Sequence, residues 1–136
     1  MYKRQLVDID SFKSINDQYG HPVGDDALVH IAGVLRSVVR PGDAVLSRMG
    51  GDELAVLLPD CPPDVAARRA TEVLEAVRTT PLTLRDGSLL PVSVSLGVAH
   101  APSHAEGLEA LYAAADAALY AAKRAGRDRV QVASSS

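Results

Sequence analysis

Two short apolar runs, Ala44 to Met49 and Leu54 to Leu58, are separated only by Gly50, Gly51, Asp52 and Glu53. That pattern places a β-hairpin with an acidic tip in the middle of the chain. The two glycines let backbone approach backbone closely at the turn. A helical pattern flanks the hairpin on each side. Upstream, Leu28, Ile31, Leu35 and Val38 recur at three-to-four spacing, predicting an amphipathic helix from Ala27 to Arg40 that stops at Pro41 and Gly42. Downstream, a helix begins near Pro63 or Asp64, with Ala66, Ala70, Val73, Leu74 and Val77 on one face and Arg68, Arg69, Glu72 and Glu75 on the other.

The remaining elements extend this centre in both directions. Residues 5–10 read as a short buried strand that ends on two carboxylates, Asp8 and Asp10. The stretch from Asn16 to Asp26, with Gly20, Pro22 and Gly24, reads as a loop, and Asp25 or Asp26 is placed to cap the helix that follows. A second hairpin turns at Arg85 to Ser88 and returns from about Leu89 to Ala99. The Ala- and Leu-rich residues 108–125 predict a long helix ending at Gly126, and Val130 to Val132 a last edge strand. The order is strand, helix, strand, strand, helix, strand, helix, with an added hairpin arm. It matches an α+β, ferredoxin-like split βαβ arrangement with helices on one face of a mostly antiparallel sheet.

A length of 136 residues allows one domain. We assign residues 1–132 to it and 133–136 to a disordered tail. Fourteen Lys and Arg against seventeen Asp and Glu leave a net charge of −3, which argues against nucleic acid as a partner. Only five residues are aromatic, too few for a base-stacking surface. No apolar run reaches the roughly 20 residues of a bilayer span, so no membrane contact is expected of this segment. The lone Cys61 excludes an internal disulfide and suits a cytoplasmic setting, with any membrane anchor lying in segments beyond these residues.

Asp8, Asp52 and Glu53 would concentrate like charge at one sheet edge unless a cation were present. Magnesium, with manganese as its substitute, takes hard oxygen ligands and typically brings phosphate with it. Taken alone, Asp8 and Asp10 also fit a solvated strand end. Lys123 and Arg127 lie four apart at the end of the last helix, where they read equally as a solvated basic terminus. Lys13, just after the acidic strand, is open in the same way. Together, a carboxylate cluster and separate cations are what a nucleoside triphosphate site requires. No GxxxxGK[ST] run exists, so the phosphate cradle is not a P-loop.

Four blocks then carry a family resemblance: AspIleAspSerPheLysSerIleAsnAspGlnTyrGlyHisProValGlyAsp over residues 8–25, ArgMetGlyGlyAspGluLeu over 48–54, ValSerValSerLeuGly over 92–97, and AlaAspAlaAlaLeuTyrAlaAlaLysArgAlaGlyArgAspArgVal over 115–130. In this order they resemble the GGDEF domain of the diguanylate cyclase family. The resemblance implies a palm-like fold related to nucleotidyl cyclases. It also implies condensation of two GTP into cyclic di-GMP by a two-fold pair of chains, with release of pyrophosphate.

By matching positions, Asp8 and Asp52 would ligate metal through carboxylates and Ile9 through its main-chain carbonyl, with Glu53 supporting a second metal position. Asn16 and Asp25 would bond the guanine edge, and His21 would line the same pocket. Lys13, Lys123 and Arg127 would hold the triphosphate, assisted by backbone amides near Ser11 and Phe12. Asp52, Glu53 and Lys13 form the implied catalytic set.

Three departures accompany the match. Leu54 stands where the family usually has Phe, a position expected to face the core. Arg40 and Asp43, in ArgProGlyAsp, resemble an inhibitory site for the product, set one residue further from Gly50 than usual; a bulge would absorb the difference. The family's opening DxLTxLxNRR-like segment is absent before Met1, a departure that fits a fragment or a truncated product and bears on activity more than on fold. The alternative reading is a catalytically silent domain that binds GTP or cyclic di-GMP and regulates a neighbour.

Overall fold

The computed structural model describes residues 2–9, 12–38, 45–50, 53–59, 63–101 and 107–133. The central hairpin consists of β2 (Val45–Gly50) and β3 (Glu53–Pro59), paired antiparallel. Gly50 and Glu53, expected in the turn, are themselves paired across the ladder. A register shift between Arg48 and Gly50 marks an irregularity just before the tip. Strand β1 (Tyr2–Ile9) pairs antiparallel with β3 on one side and with β6 (Val94–Ala101) on the other. With β7 (Val130–Val132) parallel to β6 at the edge, the sheet order is β2-β3-β1-β6-β7. Two connections therefore step over a neighbour: β1 to β2 crosses β3, and β3 to β6 crosses β1. This is the split βαβ arrangement expected from the element order.

The segment expected as a loop after β1 is helical. Helix α1 (Phe12–Tyr19) and helix α2 (His21–Val38) are separated only by Gly20. Gly20 adopts φ 90°, a conformation that costs glycine no Cβ clash, and its N–H closes on the Asn16 carbonyl at 2.8 Å. Pro22 falls in the first turn of α2, where a missing N–H breaks no helical bond. The turn signals Gly20, Pro22 and Gly24 therefore mark a break between two helices rather than a loop.

Helix α3 (Pro63–Thr79) buries Ala70, Val73, Leu74 and Val77 and leaves Arg68 and Glu75 exposed, the faces read from the sequence. Arg69 and Glu72, three apart on the polar side, pair at 3.1 Å. The second hairpin is a separate two-stranded sheet of β4 (Leu82–Thr83) and β5 (Leu89–Leu90). Its expected return strand to Ala99 is interrupted at residues 91–93, because Pro91 cannot donate to a ladder. The chain re-enters the main sheet only at Val94.

At the hairpin turn, the exposed Asp86 carboxylate accepts from the Ser88 hydroxyl at 2.5 Å and from the Ser88 N–H at 2.9 Å. These bonds hold its carboxyl below the usual carboxylate range, the hydroxyl contributing most. The stability they add is fully present above the ordinary carboxylate pKa and is lost as pH falls through the lowered folded-state value. Ser88→Ala is expected to return the Asp86 pKa upward, as read by NMR titration of its carboxyl carbon.

The helices lie on both faces of the sheet, not on one. Val94, Leu96 and Val98 of β6 join a core with Ile15, Ile31, Leu35, Leu54, Val73 and Val77 from the α2 and α3 side. Ala99 joins a second cluster with Leu111, Ala115 and Leu119 of helix α4 (Leu108–Arg124). Alternation along β6 assigns its even and odd positions to opposite faces. Leu54, 5% exposed, faces the core as expected. Ala133 continues the edge pairing, donating to the Val98 carbonyl at 2.7 Å.

Candidate active site

The antiparallel pairing of β1 with β3 brings the end of one strand to the start of the other. Asp8 and Glu53 thereby occupy opposed positions on one rung of the ladder, and Asp8 is opposed on its other side by the fully buried Ser95. Ile9 follows, opposite Val94. Two carboxylate positions and a main-chain carbonyl position thus meet at one end of the sheet. Asp52, the residue before Glu53, lies outside the described residues, as do Ser11, Arg40 and Asp43. Among the described residues no three His, Cys, Asp or Glu side chains form a metal-binding group.

Helix α1 begins just beyond this edge, with Phe12 and Lys13 as its first two residues. The leading N–H groups of a helix have no intrahelical partner. One turn further, Asn16 is half-buried, and its side-chain oxygen is fully buried without a hydrogen-bond partner among the described residues. A buried acceptor left unpaired costs about 1–3 kcal/mol. His21 opens α2 and Asp25 follows one turn later, both exposed. Asp26 pairs with Arg85 at 3.1 Å, tying α2 to the β4–β5 hairpin.

The cations arrive from the other end of the chain. Lys123 sits in the last turn of α4, half-buried, and Arg127 follows in the turn to β7. The turn is anchored to the sheet through the Leu96 N–H, which donates to the Arg129 carbonyl at 2.9 Å. Leu96 adjoins Ser95, the position opposite Asp8. The α4–β7 turn therefore lies at the same end of the sheet as the Asp8–Glu53 rung. A further pair at this turn, Arg78 and Asp128, has no spacing that sequence reasoning could single out. Arg78, at the end of α3, donates to the Asp128 carboxylate at 3.0 Å and to the Asp128 main-chain carbonyl at 3.0 Å. Fifty positions separate them, so only the fold brings them together.

The profile of the diguanylate cyclase GGDEF domain matches residues 5–129. The chain belongs to this family. Diguanylate cyclase TpbB of Pseudomonas aeruginosa is 43% identical over 122 residues, covering 90% of this chain and 28% of that protein. The crystal structure of the TpbB GGDEF domain superimposes with a TM-score of 0.94 at 38% identity, covering 99% of this chain and 83% of that one. The GGDEF domain of DgcB from Caulobacter crescentus, solved in complex with cyclic di-GMP, matches with a TM-score of 0.87 at 35% identity over 96% of this chain and 77% of that one. The chain spans about a third of the length of the curated relatives it matches. The GGDEF fold is thus an α+β, palm-like one, and no helix among the described residues is long and apolar enough to cross a membrane.

Proposed function

We propose that this GGDEF chain is a diguanylate cyclase module, joining two GTP into cyclic di-GMP as a two-fold pair in the cytoplasm. The observation that carries the reading is the pairing of Asp8 with Glu53 on one rung, which brings two carboxylate-bearing positions to the end of the sheet where helix α1 begins. Hard carboxylate oxygens with a main-chain carbonyl from Ile9 are the donor set that magnesium or manganese prefers. Such an ion, when bound, would neutralise phosphate charge and lower the pKa of the attacking hydroxyl.

The chain's own residues supply the rest. The leading amides of α1, near Ser11 and Phe12, present unpaired donors to phosphate, and Lys13, Lys123 and Arg127 would hold the remaining oxygens. The unpaired Asn16 oxygen and the Asp25 carboxylate are acceptors for guanine's N–H groups, which adenine does not offer in the same pattern, and His21 would line that pocket. In each half-reaction a 3′-hydroxyl attacks the α-phosphorus of the facing GTP. Its proton passes to Asp52, one P–O bond forms, the bond to the β-phosphate breaks, and pyrophosphate leaves. Glu53 would support a second metal position. Each chain holds one GTP, so two copies must face each other. The ArgProGlyAsp segment, through Arg40 and Asp43, would bind product as an inhibitor, and the cyclic di-GMP complex of DgcB supports that ligand class.

The test is incubation with GTP and magnesium, followed by chromatography for cyclic di-GMP and pyrophosphate. Product is expected, with specific activity rising as protein concentration rises. Absence of both turnover and GTP-dependent protection against melting would overturn the reading.

Asn16→Leu separates binding from folding. Leucine is close in size and has no unpaired acceptor, so the variant should melt at least as high as the parent, by up to about 5 °C. Its affinity for a GTP analogue should fall by roughly tenfold or more. Calorimetry with and without the analogue reads both effects.

A further inference from the structure

The turn from α4 to β7 carries three consecutive positive φ values: Gly126 at 123°, Arg127 at 64° and Asp128 at 49°. Glycine accepts that region freely, but the Cβ of each of the other two residues crowds the backbone there. Two left-handed non-glycine residues in succession persist only where surrounding bonds over-determine them. Here two guanidinium groups hold the peptide carbonyls of the strained pair. Arg129 Nε donates to the Arg127 carbonyl at 3.0 Å, and Arg78 donates to the Asp128 carbonyl at 3.0 Å. Arg78 also bonds the Asp128 carboxylate through Nε, making a two-point clamp from α3. From the other side, the Arg127 N–H reaches the Ala122 carbonyl at 3.0 Å. The Arg127 N–H and carbonyl are thus both fixed, one by a backbone bond and the other by the Arg129 side chain, and the exposed Arg127 side chain is carried on a backbone held by other residues.

We propose that Arg78 is a positioning residue for Arg127: by clamping Asp128 it holds the strained turn that presents the Arg127 guanidinium to a nucleotide phosphate. The inference rests on the reading that Arg127 binds the GTP triphosphate. Arg78 touches no substrate in this scheme. Its partners belong to α3 and the turn, and its effect reaches the nucleotide only through the geometry of residues 127 and 128. An ion pair of half-exposed groups adds little stability, so its consequence lies in orientation rather than in the folding free energy.

The experiment compares Arg78→Ala, Asp128→Ala, Arg127→Ala and the double variant Arg78→Ala/Arg127→Ala for affinity toward a non-hydrolysable GTP analogue with magnesium, and for KM and kcat with GTP. Arg78→Ala and Asp128→Ala should each weaken affinity by about fivefold and raise KM alike, with kcat within about twofold of the parent and little change in melting temperature. Arg127→Ala should weaken affinity by about tenfold, and adding Arg78→Ala to it should change affinity by less than about twofold. Loss on Arg127→Ala with none on Arg78→Ala or Asp128→Ala would overturn the proposal and leave the nucleotide reading standing. Losses that multiply in the double variant would overturn it as well, because Arg78 would then act independently of Arg127. No binding of the analogue by the parent chain would overturn the nucleotide reading itself and the proposal with it. Asp128→Ala breaks the same clamp from the other side, which keeps the test decisive if Arg78→Ala folds poorly.

Discussion

Asp52→Ala should make no detectable cyclic di-GMP, a loss of roughly 10³-fold or more, while melting no lower than the parent chain. The two halves of this result have one cause. Asp8 and Glu53 share a rung of the β1–β3 ladder, and Asp52 directly precedes Glu53 in the chain. Asp8 and Glu53 thus bring two carboxylate-bearing positions to one sheet edge. If the proposed third carboxylate joins them, like charges would repel when no cation is bound, and removing one would relieve that repulsion in the free protein. The group removed is also the proposed proton acceptor for a hydroxyl that is a poor nucleophile at neutral pH. A residue kept at a cost to the free protein and needed for turnover is expected to show opposite signs in a melting curve and in a product assay. Equal activity in parent and variant would remove Asp52 from the chemistry. A large drop in melting temperature would make it a structural residue.

The second large effect concerns Gly97. A Cβ added there meets the backbone of α4: the Ala115 carbonyl oxygen, the Leu119 nitrogen and, at 2.9 Å, the Leu119 Cα. Backbone cannot rotate away as a side chain would. Gly97→Ala therefore requires α4 to lift from β6, opening the small cluster of Ala99, Leu111, Ala115 and Leu119. Overpacking of this kind costs about 1–3 kcal/mol, and the upper end is expected where backbone is the obstacle. The same lift would displace Lys123 and the turn bearing Arg127. Gly33, on the exposed side of α2, is the opposite case, since a Cβ added there meets nothing within 4 Å. Gly33→Ala should therefore stabilise by about 0.5–1 kcal/mol through helix propensity. Chemical denaturation of the two variants should give shifts of opposite sign.

Much of the candidate site was legible as a proposal because its residues lie in local runs. Asp8, Asn16, His21 and Asp25 fall within one stretch of eighteen residues, and the glycines before Asp52 mark a tight turn whatever surrounds them. The helical face of α3 followed from its periodicity alone. The stretch from Asn16 to Asp26 did not, because Gly and Pro signal a chain break without specifying whether helix or loop lies on each side. In the fold Gly20 absorbs the break at φ 90°, and helices continue around it. Pro91 has the reverse history: its missing N–H splits an apolar run that reads as one continuous strand.

Local pattern, then, determined most of the element types, the β2–β3 hairpin and the family to which the chain belongs, since propensity, turn chemistry and motif spacing act over a few residues. Tertiary structure alone decided that helices cover both faces of the sheet, that Gly97 must stay bare beneath α4, and that Arg78 reaches Asp128 across fifty positions. Those outcomes depend on which surfaces meet once the strands have taken the order β2-β3-β1-β6-β7. Packing contacts and hydrogen bonds between distant segments leave no period in the sequence, because each partner is set by the three-dimensional path of the chain and not by its neighbours along it.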